Sequence, residues 1–218
     1  MFDNITDIFR RGVNLEKKFC IFKIDEKIFA RIDGKSYKKN CTVPLEDLRY
    51  LQVLHKTLTG ETLSGELICN VKIAETLIEI FEKLYAANYP IEKIKLVDEY
   101  NADDELSMSD NNSSCFNFRF VSNTNRISKH GYGMAIDINP RYNPYIKFVN
   151  GKKSIEPANG AEFENRTKNF PYKITKDDLS YKLFTERGFL WGGNCWKNEL
   201  DYQHFFISDG FTENGEPR

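Results

Sequence analysis

The sequence predicts an α+β fold on three observations. Short runs rich in β-branched and aromatic residues recur along the chain, one stretch carries a helical period, and the two segments richest in chemistry both read as strands. With 218 residues, 40% of them hydrophobic, the chain can bury one substantial core, and its length alone requires no second domain. Residues 1–45 are expected to elaborate a main domain spanning 46–218.

In chain order, residues 18–24 and 27–32 flank Asp25-Glu26 and predict a β-hairpin, which Asp33-Gly34 closes. Residues 48–58 fit either a helix or a strand, and 66–69 form a short strand. Asn70 suits the N-cap of a helix whose apolar face is Val71, Ala74, Leu77, Ile78, Phe81, Leu84 and Tyr85. Asn88 and Pro90 end that helix, and 91–97 return as a strand. After a polar, acidic stretch over 101–114, residues 116–121 read as a strand with Arg119 on the face opposite Phe118 and Phe120. In the strand predicted over 134–139, Met134, Ile136 and Ile138 face the core and Ala135, Asp137 and Asn139 face the other way. The proline-punctuated loop 139–145 walls a cleft, and the charged stretch 150–168 is an excursion at its edge. Thr175 and Asp178 cap a helix that Gly188 ends after Arg187. The tryptophans of 189–196 support the core or the cleft. A last strand, 202–207, places His204 on one face with Tyr202 and Phe206, with Asp201 at its entrance.

The chemistry lies in two of these segments. His130 and Asp137 stand seven positions apart, and His204 supplies a second imidazole. Neutral imidazole and carboxylate oxygen both suit Zn2+, and three protein ligands leave a fourth tetrahedral position open for water. Gly131 and Gly133 let the chain turn and carry His130 over the face that bears Asp137. Arg119 can be a surface charge, a partner of Asp103 or Asp104, or a clamp for a substrate. Arg126 is a second candidate cation, in a loop. Ser128 caps the turn that presents His130 or hydrogen-bonds a ligand carboxylate.

The pattern Ser128-x-His130-x-x-Gly133-x-Ala135-x-Asp137 resembles that of the M15 zinc peptidases, the group of VanY-type D-alanyl-D-alanine carboxypeptidases and phage L-alanoyl-D-glutamate endopeptidases. The likeness extends to Asp103-Asp104, Asn111-Asn112, Phe116-Asn-Phe-Arg119, Asn139-Pro140, Asn143-Pro144-Tyr145 and Trp191-Gly-Gly193. It implies His130, Asp137 and His204 as zinc ligands, Asp201 as general base, an arginine such as Arg119 at the oxyanion, and Ser128 on the substrate carboxylate. It also implies a hedgehog/D,D-peptidase-like fold, with a mostly antiparallel central sheet and helices packed on one side, and 46–218 as the catalytic domain. Two positions depart from many relatives: Gln203 stands where proline is common, and Asp201 where several carry glutamate. The substrate implied is a peptidoglycan stem peptide, cut either as a D-alanyl-D-alanine carboxypeptidase cuts it or internally, as an L-alanoyl-D-glutamate endopeptidase does. A hedgehog-like module that keeps zinc without turnover is the binding-class alternative, and an acid at Asp201 argues against it. A non-haem iron oxygenase also uses two histidines and a carboxylate, yet usually as His-x-Asp, which is not the spacing here.

Composition bounds the partners. The formal charge of −1 gives no global field for nucleic acid or an anionic membrane. No apolar stretch approaches the roughly 20 residues that span a bilayer. The first residues lack the basic start and apolar core of a signal peptide, so action at the cell wall or periplasm calls for a trimmed leader or another export route. Oligomeric state leaves no signal. Five cysteines cannot all pair within the chain, and Cys69 and Cys115 read as packed thiols in a reduced compartment. The third histidine, His55, has no companion motif and is expected at the surface or a strand edge.

Overall fold

The computed structural model describes residues 18–121, 124–149, 151–196 and 199–208. Residues 1–17 of the expected N-terminal elaboration lie outside that set. The first sheet is antiparallel: β1 (Cys20–Lys23) pairs with β2 (Leu48–Lys56), and β2 pairs along its whole length with β3 (Thr62–Asn70). The ambiguous segment 48–58 is therefore a strand. Between β1 and β2 the chain forms α1 (Glu26–Ile32), where a second hairpin arm was expected. Asp25 decides this locally by accepting a hydrogen bond from Ile28 N at 2.8 Å as an N-cap, and β2 already occupies the edge of β1. Ile24, Ile28, Phe29 and Ile32 then recur at helical spacing toward a core shared with Phe116 and Phe118.

α2 (Val71–Ala86) starts where Asn70 accepts a hydrogen bond from Lys72 N at 3.1 Å, and it buries Ile73, Ala74, Leu77, Ile78, Ile80, Phe81 and Leu84. The strand expected over 91–97 shortens to β4 (Lys93–Ile94), which leads into a 3-10 turn, Val97–Tyr100. Asp103 caps α3 (Asp104–Ser109), and β5 (Asn112–Ser113) pairs parallel with β4. Residues 116–121 make no ladder. Phe116, Asn117 and Phe118 donate their N–H groups to Ile68, Ser36 and His130 carbonyls on three separate segments (Phe116 to Ile68, Asn117 to His130, Phe118 to Ser36), which leaves one bridge, Phe120 to Ile127.

β6 (Ala135–Asp137) follows, then β7 (Tyr145–Val149) and β8 (Lys152–Glu156), so part of the expected excursion is a hairpin. α4 (Leu179–Thr185), capped by Asp178, precedes β9 (Leu190–Trp191), α5 (Gly192–Cys195), β10 (Glu199–Asp201) and β11 (His204–Phe206). Among the described residues the strands divide into three three-stranded antiparallel sheets, β1-β2-β3, β10-β7-β8 and β6-β11-β9, plus the parallel pair β4-β5, rather than forming one central sheet. The mixture of helix with mainly antiparallel strand is α+β. No helix among the described residues is long and apolar enough to cross a membrane.

Met134, Ile136, Ile138 and Phe205 enter the same core as α2, so the strands that carry the chemistry are anchored on the largest helix. Their opposite face is closed as well: Ala135 and Asn139 are fully buried and Asp137 is nearly so. Cys69 and Cys115 are buried free thiols, as expected. His55 is not at the surface. It is buried, with Nδ1 2.8 Å from the Ile91 carbonyl, and a carbonyl accepts only, so Nδ1 carries the donating proton.

Two outcomes are expected. Gly133 adopts φ +66°, and a Cβ there would lie 2.7 Å from Asn70 N. Gly133→Ala adds left-handed strain and overpacking, together about 2–4 kcal/mol, read as a lower urea midpoint at unchanged slope. Burial holds the His55 pKa below the ordinary 6.5. The unfolded chain therefore binds the extra proton first as pH falls, and the stability His55 contributes above 6.5 is lost below it. His55→Gln should flatten the change in urea midpoint between neutral pH and about pH 5.

Candidate metal centre

The turn ahead of β6 is built to present one imidazole. Ser128 N donates to Arg119 O at 2.9 Å, Gly131 N to Ser128 O at 2.8 Å, and His130 N to Ser128 Oγ at 3.3 Å. A side chain at position 131 would meet Ile127 Cγ2 at 2.6 Å. Gly133 closes the turn with its N–H on His130 O at 3.0 Å, while its own carbonyl accepts from Asn70 N at 2.9 Å. The helix cap of α2 and the His130 turn are thus one hydrogen-bonded unit, and His130 is 4% exposed.

The second imidazole arrives by strand register. β11 pairs antiparallel with β6 so that His204 sits directly opposite Asp137, which puts both side chains on one face. His204 Nδ1 lies 2.9 Å from Asp137 Oδ1, His130 Nε2 lies 3.2 Å from Asp137 Oδ2, and the two ring nitrogens are 3.1 Å apart. The remaining nitrogen of His130, Nδ1, is 2.6 Å from the Cys115 carbonyl. It must donate there, which leaves Nε2 as the free lone pair whenever the ring is neutral.

Among the described residues, His130, Asp137 and His204 form the one group of three or more such side chains able to hold a metal, with ligand atoms all within 4.8 Å of one another. Burial by itself would raise the Asp137 pKa, but the His130 and His204 imidazoles outweigh it and hold the carboxyl below the usual range. Burial would lower His130, and the Asp137 carboxylate reverses that to a net rise. For His204 burial wins, and its pKa falls. A divalent cation fits among these groups: one carboxylate and two ring nitrogens converge, with one ring already locked in the ligating tautomer.

Asp201 ends β10, which pairs with β7 so that Asp201 faces Tyr145, and Tyr145 faces Glu156 one strand further. Gly192 admits it closely, since a Cβ at 192 would stand 2.7 Å from Asp201 O and 2.8 Å from its Cβ. The Oδ1 atom is buried without a hydrogen-bond partner. Burial first, and the Asp137 charge second, push the Asp201 pKa well above the ordinary carboxylate range, while Gln203 and Arg119 pull it back.

The Arg119 guanidinium pairs with Asp104, the partner role among the alternatives the sequence allowed, and its charge reaches both histidines and Asp201. Its Nε is buried without a partner. Ser128 is buried and caps the His130 turn. Arg126 is exposed; its backbone carbonyl accepts from Val121 N at 2.8 Å. Tyr145 and Glu156 are neighbours of Asp201 that sequence reasoning assigned only to a wall and an excursion. A strand register between distant segments would have been needed to find them.

A buried imidazole–carboxylate–imidazole group of this kind could hold a divalent metal ion. Residues 122–207 match the model of an M15 peptidase family described as D-alanyl-D-alanine carboxypeptidase. No curated protein and no solved structure matches the chain.

Zinc at 100 times its Kd is expected to stabilise the metal-free chain by about 2.7 kcal/mol in thermal melts, and Asp137→Ala should abolish that gain. An equal gain in Asp137→Ala would place the cation elsewhere.

Proposed function

We propose that this protein is a zinc-dependent peptidase that hydrolyses peptidoglycan stem peptides as a D-alanyl-D-alanine carboxypeptidase, with a hedgehog/D,D-peptidase-like catalytic domain acting at the cell wall or periplasm. The observation that carries the reading is the convergence of His130, Asp137 and His204 within 4.8 Å, in a segment that matches the carboxypeptidase family model. The three side chains would hold the ion.

Zinc in such a site supplies Lewis acidity, which brings the ionisation of water toward neutral pH and polarises the scissile carbonyl. Asp201 takes the proton from the attacking water and returns it to the departing amine. Its burial and unpartnered oxygen suit that role, because a desolvated carboxylate accepts a proton more readily than an exposed one. Arg119 offsets the negative charge that develops on the carbonyl oxygen, held in place by Asp104. Ser128 and Arg126 are the candidates for the substrate carboxylate.

An internal cut, as an L-alanoyl-D-glutamate endopeptidase makes, uses the same centre and differs in how the peptide lies beside it. A zinc-binding module without turnover is disfavoured by Asp201, since a purely structural ion needs no buried acid next to it. Mass spectrometry of synthetic stem peptides separates the outcomes, because loss of terminal D-alanine and an internal cut give different masses. Zinc-loaded protein should release terminal D-alanine, and Asp201→Asn should lower kcat about 10²–10⁴-fold with zinc content unchanged. Zinc-loaded wild type that cuts neither bond would remove the enzyme reading.

A further inference from the structure

The two histidines of the centre are held differently. His130 has its second nitrogen on the Cys115 carbonyl at 2.6 Å. His204 turns Nδ1 toward Asp137 and His130 and packs its ring face against aromatic side chains. Metal-ligating histidines usually donate their other N–H to a carboxylate, a carbonyl or water, which fixes the ring plane. Around His204 the packing is aromatic. The Trp196 indole lies 5.8 Å from the His204 ring, centroid to centroid, at 30°, and stacks on Phe206 at 5.4 Å and 9°. His204 and Phe206 are themselves stacked at 5.3 Å on one face of β11.

The chain makes room for this indole. A Cβ at Gly192 would meet Trp196 Cζ3 at 2.7 Å and Asp201 Cβ at 2.8 Å, so the glycine lets the ring and the acid flank the same backbone. Offset and tilted ring pairs attract beyond the area they bury, so the packed indole restrains the imidazole plane. We infer that Trp196 is a positioning residue: its indole, packed on His204 and Phe206, clamps the His204 imidazole so that Nδ1 faces the metal position.

This rests on the metal-centre reading, and the experiment separates the two. Metal-free full-length wild type, W196F and W196L are titrated with zinc against a chromophoric chelator, with circular dichroism checking the fold. W196L should bind zinc about 10–100-fold more weakly, the range that loss of a supporting partner costs a metal site, while W196F, which keeps a stacked ring, restores most of the affinity. Equal affinity in all three proteins overturns the inference alone, as does a W196F loss as large as that of W196L. Wild type that takes up no zinc overturns the centre and the inference with it. Should W196L not fold, long-range ¹H–¹⁵N spectra of zinc-loaded wild type decide: ligation of His204 through Nδ1 with a protonated Nε2 supports the clamp, and ligation through Nε2 contradicts it.

Discussion

One carboxylate held between two imidazoles organises this molecule. Asp137 is buried, and an ionised carboxylate out of water costs several kcal/mol unless its lone pairs find donors or a cation. His130 and His204 meet the two oxygens separately, at 3.2 and 2.9 Å. Each imidazole comes from a different segment, so the carboxylate ties a 3-10 turn, β6 and β11 into one unit. A divalent ion in the same position would satisfy all three side chains at once, which a single proton cannot do.

The scaffold transmits that constraint outward. Asn70 caps α2 with its side chain and donates its backbone N–H to Gly133, so the largest helix and the His130 turn hold each other's ends. β6 is short, bounded by Gly133 at φ +66° and Asn139 at φ +47°, and both of its faces are buried. Such a strand is fixed by its neighbours more than by its own length. β11 lies between β6 and β9, and β10 is laced through β7 to the β8 hairpin. Register therefore decides which side chains meet: Asp137 with His204, and Asp201 with Tyr145.

Much of the centre was legible because it is local or strongly patterned. The alternation over 134–139, the two glycines after His130 and the aromatic strand around His204 each state a geometry in a few residues. α2 was equally plain, with a capping asparagine and a long apolar face. The misread elements have distributed partners. Residues 116–121 look like a strand but spend their donors on three different segments, and residues 27–32 look like a hairpin arm until Asp25 caps them. His55 was placed outside because its partner is a backbone carbonyl at Ile91, and such an acceptor leaves no mark in composition. Arg119 was ambiguous between partner and clamp, and the structure brings Asp104 to it. Tyr145, Glu156 and Trp196 acquire their place beside the centre only through long-range pairing and stacking.

The centre stands or falls with where a cation binds. Zinc-edge anomalous diffraction from crystals grown with one equivalent of zinc addresses that directly. One strong peak is expected, bounded by His130 Nε2, Asp137 and His204 Nδ1, with Asp201 nearby and not ligating. A strong peak on other side chains, or none between these three, would contradict it.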